Sequence, residues 1–137
     1  MKLTVTAVAL ALAALPAQAA LSPCTYDDLV KAADTVVQID QIRVSAPLKD
    51  PLACLVEGRI AHVLRGEAAV GDGIAVTVAC EWDGMVGPTM YNDRAALAAA
   101  AMIELHLTGG EVAGYGAGLS IIDPAAAGGI AHRFNCD

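Results

Sequence analysis

The 137-residue chain has few basic residues and no cluster of them. Lys and Arg together number 8 against 15 Asp and Glu, which gives a formal net charge of −7. Arg59, Arg65 and Arg94 stand apart from one another in the sequence. An acidic surface without a basic patch repels the phosphate groups of nucleic acids. We therefore expect no nucleic-acid partner.

The chain also has no apolar run long enough for a membrane-spanning helix, which takes about 20 residues. Its beginning has instead the parts of a secretory signal: a Lys2 start, an apolar stretch from Leu3 to Pro16, and the small-x-small site Ala17-Gln18-Ala19. We predict a signal peptide at residues 1–19, and a mature protein that is exported to the periplasm or secreted, without a membrane span. Cleavage removes one lysine and no acid, so the charge becomes −8.

A lipid anchor is not expected, although Leu21-Ser22-Pro23-Cys24 has the outline of a lipoprotein cleavage site. Pro23 stands where such a site needs a small residue, and Cys24 lies well beyond the apolar run. Ala20 is the expected first residue of the mature chain. Residues 20–137 have the length of a single domain, which we expect to be monomeric.

No C-x-x-C pair is present, which argues against a zinc knuckle and against a thioredoxin-type redox site. The cysteines are even in number, widely spaced, and all in the mature part. In an exported chain this pattern predicts two disulfides. Oxidised cysteines leave no thiolate for catalysis. The four residues are Cys24, Cys54, Cys80 and Cys136.

Alternating apolar residues predict two adjacent strands, at 54–64 and 74–82. If they form a hairpin in which Ile60 faces Ile74 and Val56 faces Val78, Cys54 lies opposite Cys80 on the inward face. We therefore predict a Cys54–Cys80 disulfide, which leaves Cys24 to pair with Cys136. A register shifted by two residues would keep the same residues inward and change these pairs.

The remaining elements complete a mainly β domain. We predict a helix at 25–33 capped by Thr25, a strand at 35–44, a helix at 94–101 capped by Asp93, and two last strands at 102–108 and 112–122. Gly114, Gly116 and Gly118 are interpreted as a point where the last strand coils sharply. Five strands with a helix between the third and the fourth predict an OB-like Greek-key barrel. Another small β-sandwich or meander is the alternative.

The strand sequences resemble those of netrin-like domains, the family that includes the tissue inhibitors of metalloproteinases and exported bacterial relatives. The similar segments are Ala33-Asp34-Thr35-Val36-Val37, Val56-Glu57-Gly58-Arg59-Ile60, Val63-Leu64-Arg65-Gly66 and Val70-Gly71-Asp72, within about Pro23 to Asp123. The resemblance implies an OB fold. The inhibitors chelate a protease zinc with an N-terminal cysteine, whereas Cys24 here is expected to be internal. Inhibition is thus an alternative only if the mature chain begins at Cys24.

Residues with catalytic or metal-binding chemistry are scarce. No serine lies in a G-x-S-x-G turn, and no glycine-rich segment has the strand–turn–helix setting of a phosphate loop. His106 shares with Glu104 a strand face that we interpret as solvated, and His132 lies in a tail that looks flexible. We expect no enzyme, no metal and no cofactor. The alternative is a small periplasmic metal-binding protein or enzyme that uses His62, His106 and a carboxylate.

We therefore interpret the chain as a small binding or protein-interaction module whose partner is a protein or a small ligand of unknown identity. Aromatic residues are few, and Trp82 and Tyr91 flank the loop after the third strand. Core packing of Trp82 is an alternative to a role in binding. The expected interaction surface is the mouth formed by this loop, beside the segment around Cys24. Its candidate residues are Trp82, Asp83, Met85, Met90 and Tyr91.

Overall fold

A computed structural model of the protein describes residues 21–46, 52–81 and 92–136. The described part has two α-helices, seven β-strands and two short 3-10 turns, Gly114–Gly116 and Pro124–Ala126. The helices are α1 (Pro23–Lys31) and α2 (Arg94–Ala99). The strands are β1 (Thr35–Ser45), β2 (Ala53–Arg65), β3 (Gly73–Glu81), β4 (Asn92–Asp93), β5 (Ile103–Thr108), β6 (Glu111–Val112) and β7 (Leu119–Ile121).

Both helices begin at side-chain caps. Asp93 accepts hydrogen bonds from the backbone N–H groups of Ala95 and Ala96, so the predicted cap of α2 is confirmed. The predicted cap of α1 is wrong, because Ser22 and not Thr25 caps that helix. Pro23 then occupies the first turn, where the N–H that proline lacks would have no partner within the helix.

The strands form one mixed sheet that curls into a half-barrel, in the order β4-β3-β2-β1-β5-β6. The short strand β7 pairs with β5 beside β6. Every pairing is antiparallel except that of β3 with β4. The mainly β class is confirmed, but the count of five strands is wrong.

The predicted last strand at 112–122 is broken in two by the turn at Gly114–Gly116. All three residues of that turn have positive φ: 63° at Gly114, 56° at Tyr115 and 96° at Gly116. This left-handed backbone cannot continue a strand. The glycines therefore end β6. The prediction that they coil one continuous strand is wrong.

The β2–β3 hairpin is antiparallel as predicted, but its register is shifted by two residues. Cys54 pairs with Val78 and Val56 with Val76. The residues predicted to point inward keep that face, because a shift of two preserves it. Ile74 is half-buried, and the others are buried: Cys54, Val56, Ile60, Val78 and Cys80. Cys54 and Cys80 are thus diagonal neighbours, and the disulfide between them forms with a Cα–Cα distance of 5.6 Å. Both predicted disulfides are present.

The core lies on the concave side of the sheet. Fully buried aliphatic residues from β1, β5 and α2 pack around the Cys54–Cys80 disulfide, including Ile39, Leu97, Ile103 and Leu105. β1 crosses β2 so closely at Gly58 that a Cβ there would lie 2.8 Å from the carbonyl oxygen of Asp40. Nowhere in the described ranges does a helix combine the length and the apolar character needed to cross a bilayer.

Candidate functional site

Polar residues cross the convex side of the sheet in a row, opposite to the core. Gln38 of β1 pairs with Glu104 of β5, and Glu104 pairs in turn with Ser120 of β7. Because directly paired residues of antiparallel strands share a face, the three side chains lie side by side. Gln38 and Glu104 are fully buried, as is His106 two residues along β5. The prediction of a solvated face for Glu104 and His106 is therefore wrong.

The C-terminal segment 128–136, which we call the strap, covers these polar side chains. Glu104 Oε2 accepts a hydrogen bond from Ala131 N at 2.7 Å, and Oε1 accepts one from His132 N at 2.9 Å. Gln38 binds the strap from both ends of its amide, donating to Gly129 O and accepting from Gly128 N. The strap thus carries the backbone donors that a buried carboxylate requires.

Further along the strap, the carboxylate of Asp27 in α1 also accepts hydrogen bonds from strap backbone N–H groups. Its Oδ2 accepts from Asn135 N at 2.6 Å and from Cys136 N at 2.9 Å. Lys31 Nζ donates to Cys136 O, and the Cys24–Cys136 disulfide fixes the end of the strap to α1. The tail is therefore clamped along its length, and the flexible tail predicted from its composition is wrong.

Glu104 is held as a carboxylate by its neighbours. Burial by itself raises its pKa, but hydrogen bonds from Ala131, Gln38, His106 and His132 outweigh that effect, so the pKa lies below its ordinary value. His106 Nε2 lies 2.8 Å from Glu104 Oε1, which places the ring proton on Nε2. His106 Nδ1 is buried and has no hydrogen-bond partner among the residues that the structure describes.

His132 lies at the edge of this cluster, with its Nδ1 2.7 Å from Ser120 Oγ. Burial and the neighbouring His106 lower the pKa of His132, so its ring is neutral at pH 7. A neutral imidazole beside a hydroxyl is one part of a nucleophilic site, which also needs a group that orients the imidazole. Glu104 contacts the backbone N–H of His132 and not its ring. The pair therefore fixes the strap and does not form a triad with Glu104.

The residues proposed for a metal site are only partly brought together. His106 lies next to Glu104, whereas His62 pairs with Gln38, one strand further from β5. Within residues 21–46, 52–81 and 92–136, no group of three or more histidine, cysteine, aspartate or glutamate side chains can hold a metal ion. The oxygens of Glu104 are already occupied by the strap, Gln38 and His106.

A cleft of about 510 Å³ opens beside the strap, between α1 and the Gly114–Gly116 turn. Tyr115 forms its rim and is 75% exposed. The Tyr26 and Tyr115 rings meet edge to face, with their centroids 6.1 Å apart. Polar side chains from the strap and from β4 also line the cleft, among them Asn92, His132, Arg133 and Asn135.

The predicted interaction residues Trp82, Asp83, Met85, Met90 and Tyr91 lie outside the described residues. Two residues that border the predicted surface do lie in the described part of the chain. Pro23 next to Cys24 and Asn92 after the loop both line the cleft. Tyr115 was missed because its glycine neighbours were assigned to a strand. An aromatic residue between two glycines was the available signal for an exposed turn.

Comparisons of the chain with protein-family models, with curated proteins and with solved structures find no match.

Proposed function

We propose that this chain is an exported, disulfide-stapled binding module without catalytic activity, and that its interaction surface is centred on Tyr115. The observation that carries the proposal is the conformation of this residue. Tyr115 has φ 56° and ψ 38°, a region that costs a non-glycine residue about 1–2 kcal/mol. Strained backbone that presents an exposed side chain is concentrated at ligand-binding sites.

The composition of the cleft fits contact with a protein or a peptide. Tyrosine and arginine are the residue types enriched where proteins bind each other, and Tyr26, Tyr115 and Arg133 all line this cleft. Asn92 and Asn135 add amide groups that can hydrogen-bond to a partner backbone. The edge-to-face contact with Tyr26 limits the motion of the Tyr115 ring before a partner binds.

Export and the fold support the same function. Two disulfides are typical of proteins that fold in an oxidising compartment, and we place this one in the periplasm or outside the cell. An OB-like arrangement is supported by β1, which pairs with β2 on one side and with β5, the strand after α2, on the other. OB-like barrels serve in many proteins as binding scaffolds.

Inhibition of a metalloprotease through Cys24 is the less favoured function. Cys24 lies inside α1, after the Ser22 cap, and its sulfur is bonded to Cys136. A chelating amine exists there only if the mature chain starts at Cys24. The intact mass of the exported protein tests this directly. A chain that starts at Ala20 would contradict the inhibitor hypothesis, and a chain that starts at Cys24 with a free amine would support it.

Photocrosslinking tests the proposed surface. With benzoylphenylalanine in place of Tyr115, we expect irradiation of the exported fraction to yield an adduct of defined mass with one partner. The matched control places the same residue at Val70, which is 66% exposed and does not line the cleft. Adducts that are absent at position 115, or identical at both positions, would contradict the proposal.

A further inference from the structure

Asp27 is a buried residue whose carboxylate has one oxygen without a hydrogen bond. Asp27 is 6% exposed, and its Oδ2 accepts both of its bonds from the strap. Its Oδ1 accepts none from the described residues. The only fully buried side-chain atom without a partner in the described ranges is His106 Nδ1, so solvent reaches Asp27 Oδ1. Because Asp27 lines the cleft beside the strap, this oxygen is open to the cleft.

The negative charge of Asp27 is not paired with a cation among the described residues. Lys31, one turn along α1, directs its ammonium to Cys136 O. Arg133 lines the same cleft but is exposed, and neither Lys31 nor Arg133 forms an ion pair with Asp27. His132 is neutral at pH 7 and adds no positive charge. A carboxylate as buried as that of Asp27 is stabilised by a cationic partner, which a ligand in the cleft can supply.

The rings of Tyr26 and Tyr115 add a second feature that suits a cation. Their planes are 84° apart, so the two rings form a corner at the cleft. Tyr26 directly precedes Asp27 in α1. The face of an aromatic ring attracts a cation that lies within about 6 Å of its centre. The cleft therefore combines a carboxylate oxygen with aromatic rings, the two kinds of group by which proteins hold an organic cation.

The single open oxygen favours an ammonium over a guanidinium. The planar fork of an arginine is best satisfied by both oxygens of a carboxylate, and Oδ2 of Asp27 is already occupied by two N–H groups of the strap. An ammonium is a compact charge with three donors. Asp27 Oδ1 satisfies one of them, and the amide oxygens of Asn92 and Asn135 in the same cleft are available for the others.

We propose that the cleft binds the ammonium group of a lysine side chain of the partner protein, with Asp27 Oδ1 as its charged acceptor and the Tyr26 and Tyr115 rings beside it. This inference rests on the proposed function, since it names the chemical group that the binding module recognises. The cleft volume of about 510 Å³ accommodates a lysine side chain, whose flexible four-carbon stem carries its charge into a recess.

An NMR titration of the unmodified protein tests the recognition of an ammonium. The probe is Nα-acetyl-lysine methylamide, and its matched control carries a second acetyl group on Nε, which removes the charge. We expect the lysine probe to shift the amide signals of Tyr26, Asp27 and Tyr115, with an affinity at least about tenfold above that of the control. The proposal is overturned if the lysine probe leaves these signals in place, or if both compounds bind equally.

The arginine analogue of the same probe tests the argument from the single open oxygen. We expect it to bind at least about threefold more weakly than the lysine probe, because only one oxygen of Asp27 is open to its two-pronged donor group. Equal or tighter binding of the arginine analogue would overturn the assignment of lysine.

Two variants remove the same charge from neighbouring positions of α1. Asp27→Asn keeps an oxygen for the strap, whereas Asp28 is exposed and does not line the cleft. We expect Asp27→Asn to weaken binding of the lysine probe at least about tenfold, and Asp28→Asn to weaken it at most about twofold. Slow hydrogen exchange at Asn135 and Cys136 would show that the strap of Asp27→Asn is still docked. Equal affinity of the two variants overturns the proposal. If Asp27→Asn releases the strap, the two probes on the unmodified protein remain decisive.

A last pair of measurements identifies the source of the ammonium. Tighter binding of diaminobutane than of the lysine probe would overturn a lysine of a partner in favour of a free amine. With the partner captured by crosslinking at position 115, we expect acetylation of its lysines to abolish the adduct. An adduct that forms equally with the acetylated partner would leave the binding function intact and reject only the lysine. The absence of any adduct at position 115 would instead reject the proposed function.

Discussion

Glu104 is a buried carboxylate with four donors: the side chains of Gln38 and His106, and the backbone N–H groups of Ala131 and His132. An amide in its place would direct an NH₂ group at some of those donors and leave them unpaired. We expect Glu104→Gln to lower the free energy of unfolding by about 2–4 kcal/mol. Urea denaturation at neutral pH measures this. Glu111→Gln, at an exposed position, is the control and should change it by less than about 0.5 kcal/mol.

Tyr115 and Gly114 share the left-handed turn but differ in what a substitution does. A Cβ at Gly114 would lie 2.9 Å from Val30 Cγ2, and its φ is +63°. We expect Gly114→Ala to lower the free energy of unfolding by about 2–4 kcal/mol.

In Tyr115→Gly, relief of the strained backbone offsets the lost contact with Tyr26, so stability should change by less than about 1 kcal/mol. A larger loss for Tyr115→Gly than for Gly114→Ala would show that the ring serves stability.

The strap is the element that gives the convex face its cover, and Asp27 is the point where α1 holds it. Asp27→Ala removes the acceptor of two backbone N–H groups, so we expect faster hydrogen exchange at Asn135 and Cys136 and a loss of about 1–2 kcal/mol. Exchange in β1 and β2 should accelerate only as far as the lower free energy of unfolding requires, whereas exchange at Asn135 and Cys136 should accelerate more, because these two amides lose their own acceptor. The neighbouring Asp28 is exposed, and Asp28→Ala is the matched control. Equal effects of the two variants would contradict the clamp.

The elements that the sequence predicted correctly are those in which local pattern and burial agree. Alternation gave the long strands and their inward residues, and Asp93 marked the start of α2. Alternation alone could not give the β2–β3 register, since a shift by two leaves every side chain on the same face. It also read Glu104 and His106 as solvated, because their cover comes from a distant Gly- and Ala-rich segment that has no periodic pattern of its own. Only the Cys24–Cys136 link indicated that this tail returns to the domain.

At the scale of the whole molecule, the strap makes stability depend on pH. The pKa of Glu104 lies below its unfolded value, so its stabilisation is complete above pH 4.5 and is lost as the pH falls through the folded value. The pKa of His132 is also lowered, because burial and His106 disfavour its charged form. The stabilisation from neutral His132 is complete above pH 6.5. It falls as the pH drops below that value, because the unfolded state takes up a proton before the folded state does. The lowered pKa values of Glu104 and His132 therefore both make the protein less stable at acidic pH.

We therefore expect the free energy of unfolding to decrease as the pH is lowered from about 7.5 to about 5, and to decrease further on approach to pH 4. Urea denaturation across this range measures it. His132→Gln should flatten the first part of the profile and leave the second. A profile for the wild-type protein that is flat below pH 6.5, or that rises on acidification, would contradict the assignment of a neutral His132 in the fold.

We propose that Tyr115 is displayed for binding. The most direct test is the affinity of Tyr115→Gly for the partner identified by crosslinking, measured by calorimetry on folded protein. We expect the affinity to fall at least about thirtyfold, which is the effect of removing a dominant aromatic residue from an interface. An unchanged affinity would contradict the claim and assign the exposed ring no part in binding.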